Sequence, residues 1–201
     1  MHKKFLSLLF VGIFIFALLI GGCSPKYEKT SNSKSKNIMI TDLLERKITL
    51  NKRIDKVVAI GPGALRLYCY INGSKKLVGV EQTEKGSTVG KPYMMVNPNI
   101  AKLTTIGQGG PNNSPDAEKI LSVKPDVIFD TYASDKSSAD ELQSKTNIPV
   151  VVLSYGKQST FDPDMYTSLK IIGKVTGNES RAQKVIDYMK NCKDDQLLFV
   201  P

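Results

Sequence analysis

One histidine, His2, stands in 201 residues, and nothing after it carries an imidazole. A site for bare zinc or manganese draws on imidazole and carboxylate ligands, so such a site has lost its usual donors. A histidine general base is excluded on the same ground. No GxSxG, HExxH or CxxC pattern occurs, and Ser154-Tyr155-Gly156 lacks the flanking residues of a nucleophile elbow. The pair Asp194-Asp195 reads as solvated carboxylates in a frayed tail, not as an acid–base couple. These absences leave an enzyme reading with little support.

Cysteine is nearly as scarce, with three in the chain. Cys69 and Cys192 read as buried free thiols, because a disulfide between them would need close and suitably aimed carbons. Basic runs interleaved with aromatics are missing too, despite a formal net charge of +9. Lys3 and Lys4 account for two of those charges. Residues 24–37 carry four lysines against one glutamate, which leaves about +4 scattered over the remainder. That pattern argues against nucleic acid as a partner. It leaves open an unspecific attraction to an anionic membrane or wall surface.

What the chain does have begins at its start. After Lys3 and Lys4 comes "FLSLLFVGIFIFALLI", a charge-free and almost wholly apolar run, followed by "GGC". A plain secretory signal ends in a small-residue cleavage site, whereas this one ends on a thiol. Residues 19–23, Leu-Ile-Gly-Gly-Cys, resemble a bacterial lipobox. That resemblance makes 1–22 a signal peptide and Cys23 the lipidated first residue, since a thiol can be alkylated where Ser or Ala cannot. An uncleaved anchor with an incidental cysteine is the competing reading, although the run is at the short end for a span. Both place the rest outside the cytoplasm, held at the cell membrane. Residues 23–37, including "SPKYEKTSNSKSKN", form a polar tether that cannot bury a core.

From Ile38 onward, strand-like and helix-like segments alternate. "IMITDLLERKITL" suggests a hairpin, "VVAI" a strand leading into a helix near residues 64–72, and "KLVGV" and "LTTIG" two further strands. "SPDAEKILSV" reads as a helix capped by Ser114 with Pro115 in the first position. "PDVIFD" is a buried-type strand, "DKSSADELQSKT" a helix, and "IPVVVLS" a strand. Asp162 and Pro163 then open a helix that Gly177 closes. A second helix over 178–195 has Ala182, Val185, Ile186 and Met189 on one face. The order predicts an α/β lobe over 38–160 with a mostly parallel sheet, and a helix pair over 161–201. Ligands of such sheets bind beyond the carboxyl ends of the strands, which directs attention to residues 61–66, 81–93, 107–114, 131–134 and 155–158.

This order, with "TDLLERKITL", "KVVAIGPGALRL", "KLVGVE", "IGQGG", "AEKILSVKPDVIF", "IPVVVL" and "SRAQKVIDYMKN", resembles the solute-binding lipoproteins of ABC importers for ferric siderophores, haem and cobalamin. "EKILSVKPDVIF" is the most specific piece. The resemblance implies two α/β lobes joined by a long helix, with the ligand clamped between them. This chain resembles the first lobe and the start of that helix. The second lobe is absent, which suggests a truncated or split reading frame with "DDQLLFVP" non-native.

The resemblance also assigns residues. "GPGALR" is neither a Walker loop nor GxGxxG, because Arg66 stands where the third glycine would be. It becomes part of the ligand wall, its glycines letting backbone approach the ligand; a tight corner without a ligand role is the alternative. Gly63, Ala64, Arg66, Tyr93, Gly109, Tyr132 and Tyr155 are the implied ligand contacts, offering aromatic surface and one cation to a metal already in a chelate. Tyrosines are also common where loops meet a core. Glu118 is implied as a contact to the ABC permease, while the helix dipole alone would also favour a carboxylate there. No cofactor is implied. The expected function is an extracytoplasmic receptor for an iron complex or cobalamin. The alternative is a single-lobe surface lipoprotein acting as an interaction module.

Overall fold

The apolar runs of the sequence become strands buried on both faces. In a computed structural model that describes residues 37–51, 53–156 and 161–197, β1 (Ile38–Thr41) and β2 (Lys47–Leu50) form the expected hairpin. The parallel strands are β3 (Val57–Ile60), β4 (Gly79–Val80), β5 (Thr104–Thr105), β6 (Val127–Asp130) and β7 (Val150–Val152). β3, β6 and β7 make one sheet in the order β3-β6-β7, and β4 pairs with β5. A parallel bridge between Val57 and Leu77, just ahead of β4, joins the two sets. The parallel strands therefore follow one another as β5-β4-β3-β6-β7, and the order reverses direction at β3.

The helices between them are α1 (Ala64–Asn72), α2 (Pro92–Met95), α3 (Ala117–Ser122), α4 (Lys136–Thr146), α5 (Pro163–Thr176) and α6 (Glu179–Leu197). Strand periodicity sorts them. Val57, Ala59, Val127, Phe129 and Val151 point to one face, where α1, α5 and α6 pack. Val58, Ile60, Ile128, Val150 and Val152 point to the other, covered by Ile120 of α3 and by Ala139 and Leu142 of α4. A sheet covered on both sides is what near-continuous Val/Ile runs require. The hairpin is sewn to the outer strand by Asp42, whose carboxylate accepts the Val152 N–H at 3.2 Å, and by Leu43 N–H to Val152 O at 3.2 Å.

Local chemistry sets most boundaries. Asp162 caps α5 by accepting the Asp164 N–H, Pro163 takes the first position, and Gly177 at φ 73° ends it, as expected. On α6, Ala182, Ile186 and Met189 are buried and Val185 is partly so. Two expectations need correcting. Helix α3 is capped by Asp116, which accepts the Lys119 N–H at 3.0 Å, and not by Ser114. Asp194 and Asp195 lie within helix α6, not in a frayed tail. Cys69 and Cys192 are both free thiols, but only Cys69 is buried; Cys192 is half-buried on α6.

Gly173 of α5 packs tightly against α6: a Cβ there would lie 2.7 Å from Ala182 Cβ and 3.2 Å from Asn178 O. Helix propensity alone would make Gly173→Ala stabilising by about 1 kcal/mol, whereas overpacking of a tight contact costs roughly 1–3 kcal/mol. The contact should win. Gly173→Ala is expected to lower the urea midpoint, and a raised midpoint would show that the two helices part freely.

Candidate functional site

Every parallel strand delivers one candidate to the same edge of the sheet. The Gly61-Pro62-Gly63 corner follows β3, Glu81 follows β4, Gly109 lies beyond β5, Tyr132 beyond β6, and Tyr155 beyond β7. Gly61 and Gly63 adopt φ values of 87° and 78°, which favour glycine. A Cβ on Gly61 would fall 2.5 Å from Thr131 Oγ1, and one on Gly63 would fall 2.8 Å from Tyr155 Cβ. The close approach these glycines permit here is therefore that of the neighbouring loops. Thr131 Oγ1 donates to Pro62 O at 2.9 Å and completes the corner.

At the centre of this edge is Glu81, which is only 5% exposed. Its Oε2 accepts the Gly61 N–H at 3.0 Å and its Oε1 accepts the Tyr132 hydroxyl at 2.9 Å. Gly109 sits against it, since a Cβ there would lie 2.8 Å from Glu81 Cβ. One carboxylate thus ties together the loops after β3, β4 and β6. Burial pushes the Glu81 carboxyl up, against the lowering effect of its two hydrogen bonds. Burial and then the Glu81 hydrogen bond hold the Tyr132 phenol well above its ordinary value. Glu81 was missed in the sequence, although a charged residue directly after the strand "KLVGV" was a usable signal.

Beside it, Asp130 is 1% exposed, and its carboxylate accepts the Tyr132 N–H at 2.7 Å. Burial pushes Asp130 up to about 6.

The other expected residues are distributed around this centre. Tyr155 is 43% exposed and stands over Gly63. Tyr93 is buried in α2, donating to Glu84 Oε2 at 2.8 Å, with Lys91 Nζ 3.4 Å from the same oxygen. Ala64 is fully buried and presents no surface to a ligand. Arg66 lines a different space, a groove of about 680 Å³ shared with Tyr70, Met165, Arg181, Val185 and Tyr188, and its buried Nε has no hydrogen-bond partner among the described residues. Glu118, in the first turn of α3, lines a recess of about 650 Å³ on the opposite face, with Asp116, Asp130, Tyr132 and Glu141. The structure thus brings Gly109 and Tyr132 together around Glu81, and Gly63 with Tyr155, while Arg66 and Glu118 stand apart on the two faces.

Cys23 and the segment 1–22 lie outside the described residues. Among the described residues, no helix is long and apolar enough to cross a membrane, and no three His, Cys, Asp or Glu side chains gather where they could hold a metal.

Asp130 gives a pH test. Its folded value of about 6 lies above the unfolded carboxylate, so the fold binds the extra proton and stability falls as pH rises through that window. Fully ionised, it costs on the order of 2–3 kcal/mol. Asp130→Asn keeps an oxygen for the Tyr132 N–H and carries no charge. Urea unfolding at pH about 4 and about 7 should show the variant gaining roughly that amount over wild type between the two conditions. A constant gap would show that Asp130 does not titrate there.

The profile of the family described as periplasmic binding protein matches residues 57–195. The ABC transporter substrate-binding lipoprotein YvrC of Bacillus subtilis is 24% identical over 188 residues, which is 91% of this chain and 55% of YvrC. The molybdate-binding protein MolA of Haemophilus influenzae is 33% identical over 116 residues, 58% of this chain and 32% of MolA. The MolA structure with molybdate bound superposes with a TM-score of 0.60 at 25% identity, over 74% of this chain and 49% of the other. A periplasmic solute binding protein from Veillonella parvula reaches a TM-score of 0.67 at 20% identity, over 83% of this chain and 50% of the other. The chain spans about half the length of YvrC and about a third of MolA. With its parallel α/β lobe and a family match over most of its length, the chain belongs to the periplasmic binding protein family of ABC-importer substrate-binding proteins.

Proposed function

We propose that this chain forms one wall of an extracytoplasmic receptor for an ABC importer, anchored through a lipid on Cys23, that captures an iron complex such as a ferric siderophore or haem, or cobalamin. The observation that carries this reading is the convergence of all five parallel strands on one edge, where Tyr155 stands exposed beside the corner at Gly63. Ligands of open parallel sheets bind at that edge. An exposed aromatic ring suits a bulky, partly apolar solute. The lipid anchor is supported by the residues before Cys23 and by YvrC being a lipoprotein. The receptor performs no chemistry on its ligand. It closes around the ligand and docks on the permease through Glu118, which the recess on the α3 side leaves accessible.

The similarity to MolA favours a second reading, a small oxyanion such as molybdate. The buried Glu81 carboxylate at the centre of the edge weighs against it, because a bare anion there would meet like charge. Calorimetric titration of the protein completed with a second lobe separates the two. Heat with a ferric siderophore, haemin or cobalamin and none with molybdate supports the first reading; heat with molybdate alone installs the second.

In the same protein, Arg66→Ala is expected to leave chelate binding, read as quenching of tyrosine fluorescence, unchanged, because its groove lies away from the strand ends. A roughly tenfold loss of affinity would return Arg66 to the ligand wall. Glu118→Arg is expected to leave chelate affinity intact and to stop uptake by cells, and normal uptake would argue against docking through Glu118.

A further inference from the structure

We propose that Glu81 is a specificity-determining residue of the ligand edge: it takes the proton of the Tyr132 hydroxyl inward, so that this oxygen faces a ligand as an acceptor only. The inference rests on the receptor reading above and narrows its ligand class. A tyrosine hydroxyl has one proton to give and lone pairs with which to receive. Tyr132 gives its proton to Glu81 Oε1 at 2.9 Å. The other carboxylate oxygen is held by the Gly61 N–H at 3.0 Å, a donor that cannot reverse. At the mildly alkaline pH of the test below, an ionised Glu81 accepts and does not donate, which sets the direction of both bonds.

Glutamine at this position would behave differently. Its one carbonyl oxygen would go to Gly61, and its NH2 would donate to Tyr132, turning the hydroxyl proton outward. An uncharged amide is also less costly to bury than a carboxylate. Among the described residues no ion pair involves Glu81, so none of their cations offsets that cost. What the charge adds is the polarity of Tyr132. Asp130 of β6 acts on Tyr132 and Glu84 beyond β4 acts on Glu81, both acidic, while the recess that Tyr132 borders also carries Glu141 and Lys145. The ligand group that meets Tyr132 is therefore a hydrogen-bond donor, such as an amide N–H or hydroxyl, and not a carboxylate or phenolate oxygen. The ligand class is a metal chelate with a donor-bearing, non-anionic periphery.

The test uses the full chain with ¹³C-labelled tyrosine, with Tyr132→Phe identifying the Tyr132 resonance. In wild type the Tyr132 phenol is expected to titrate well above free tyrosine, and Glu81→Gln is expected to bring it back towards the ordinary value. Binding is then compared, at mildly alkaline pH, for ferrioxamine, a hydroxamate chelate with amide N–H groups and an ammonium, and for the polyanionic ferric citrate. Wild type should prefer ferrioxamine, and Glu81→Gln should shift the ratio towards citrate by roughly tenfold. Should Glu81→Gln fail to fold, Tyr132→Phe gives the second measurement, since it removes the acceptor and should flatten the preference. A Tyr132 titration identical in wild type and Glu81→Gln overturns the inward hydrogen bond. A moved titration with an unmoved preference overturns the specificity role. If wild type binds neither chelate, the specificity role is overturned for these ligands, the receptor reading stands or falls on the calorimetric titration above, and the tyrosine titration still upholds or overturns the inward hydrogen bond.

Discussion

The constraint from which the rest follows is burial of the short parallel sheet on both faces. Every residue of β3, β6 and β7 is buried, so neither face offers room for polar function. Helices must cover both sides, and the chain has to return to the same end of the sheet before each new strand. Polar side chains can then gather only where the strands end. That is why Gly61, Glu81, Gly109, Tyr132 and Tyr155, separated by up to 94 positions in the sequence, meet at one edge. The strand order reverses at β3, so the chain leaves β3 for one face of the sheet and β6 for the other. The two loops still touch at the strand ends, through Thr131 and the glycine corner, and Glu81 is bonded to both.

The electrostatics of this edge differ from the general surface. The chain as a whole is basic, yet the groups at its centre are Glu81, Glu84 and Asp130. Each is satisfied mainly by neutral donors: Gly61 N–H and the Tyr132 hydroxyl for Glu81, Tyr132 N–H for Asp130, and the Tyr93 hydroxyl for Glu84. Among the described residues, Lys91 is within reach of Glu84, and Arg46 acts on Asp130 from a distance. For Glu81 and Asp130 burial outweighs what these partners return, so their charge is costly. Burial and then the bonded carboxylates also hold the Tyr132 and Tyr93 phenols above their ordinary value. The edge thus presents aromatic surface and oriented hydroxyls backed by negative charge, which suits a large solute making many weak contacts better than a small anion.

Much of this was legible from residues close together in the sequence. The Asp162 and Pro163 start and the Gly177 stop of α5 are local chemistry and came out as expected, as did the buried stripe of α6. The strands β3 and β6 declared themselves by apolar runs too short for helices. The α3 cap was misread because Ser114 and Asp116 both fit a capping pattern, and only the backbone path selects Asp116. The segment "KLVGV" contributed two residues of β4 and a bridge, since its first half serves to pass alongside Val57. Glu81 was missed for a different reason. Its place directly after a strand marked it for the ligand edge, but its partners lie 20 and 51 positions away, so its burial was not legible locally.

Tyr132 has a position that links the two sides of the proposal. Its hydroxyl meets Glu81 at the strand ends, its N–H is held by Asp130, and its side chain borders the recess that Glu118 lines. The groove of Arg66 lies across the sheet, among α1, α5 and α6. A ligand pressing on the edge would therefore reach the Glu118 side through one residue and the Arg66 side only through the helices. Tyr132 is also anchored at both its backbone and its hydroxyl, so it has little freedom to yield independently of the loops it joins. On the proposed reading, force or charge arriving at the ligand edge would act on the loop after β6, and with it on one wall of the recess that Glu118 lines. A receptor that signals its loaded state to a permease would need some such shared element. What fixes the position of that loop here is the pair of buried carboxylates that hold Tyr132.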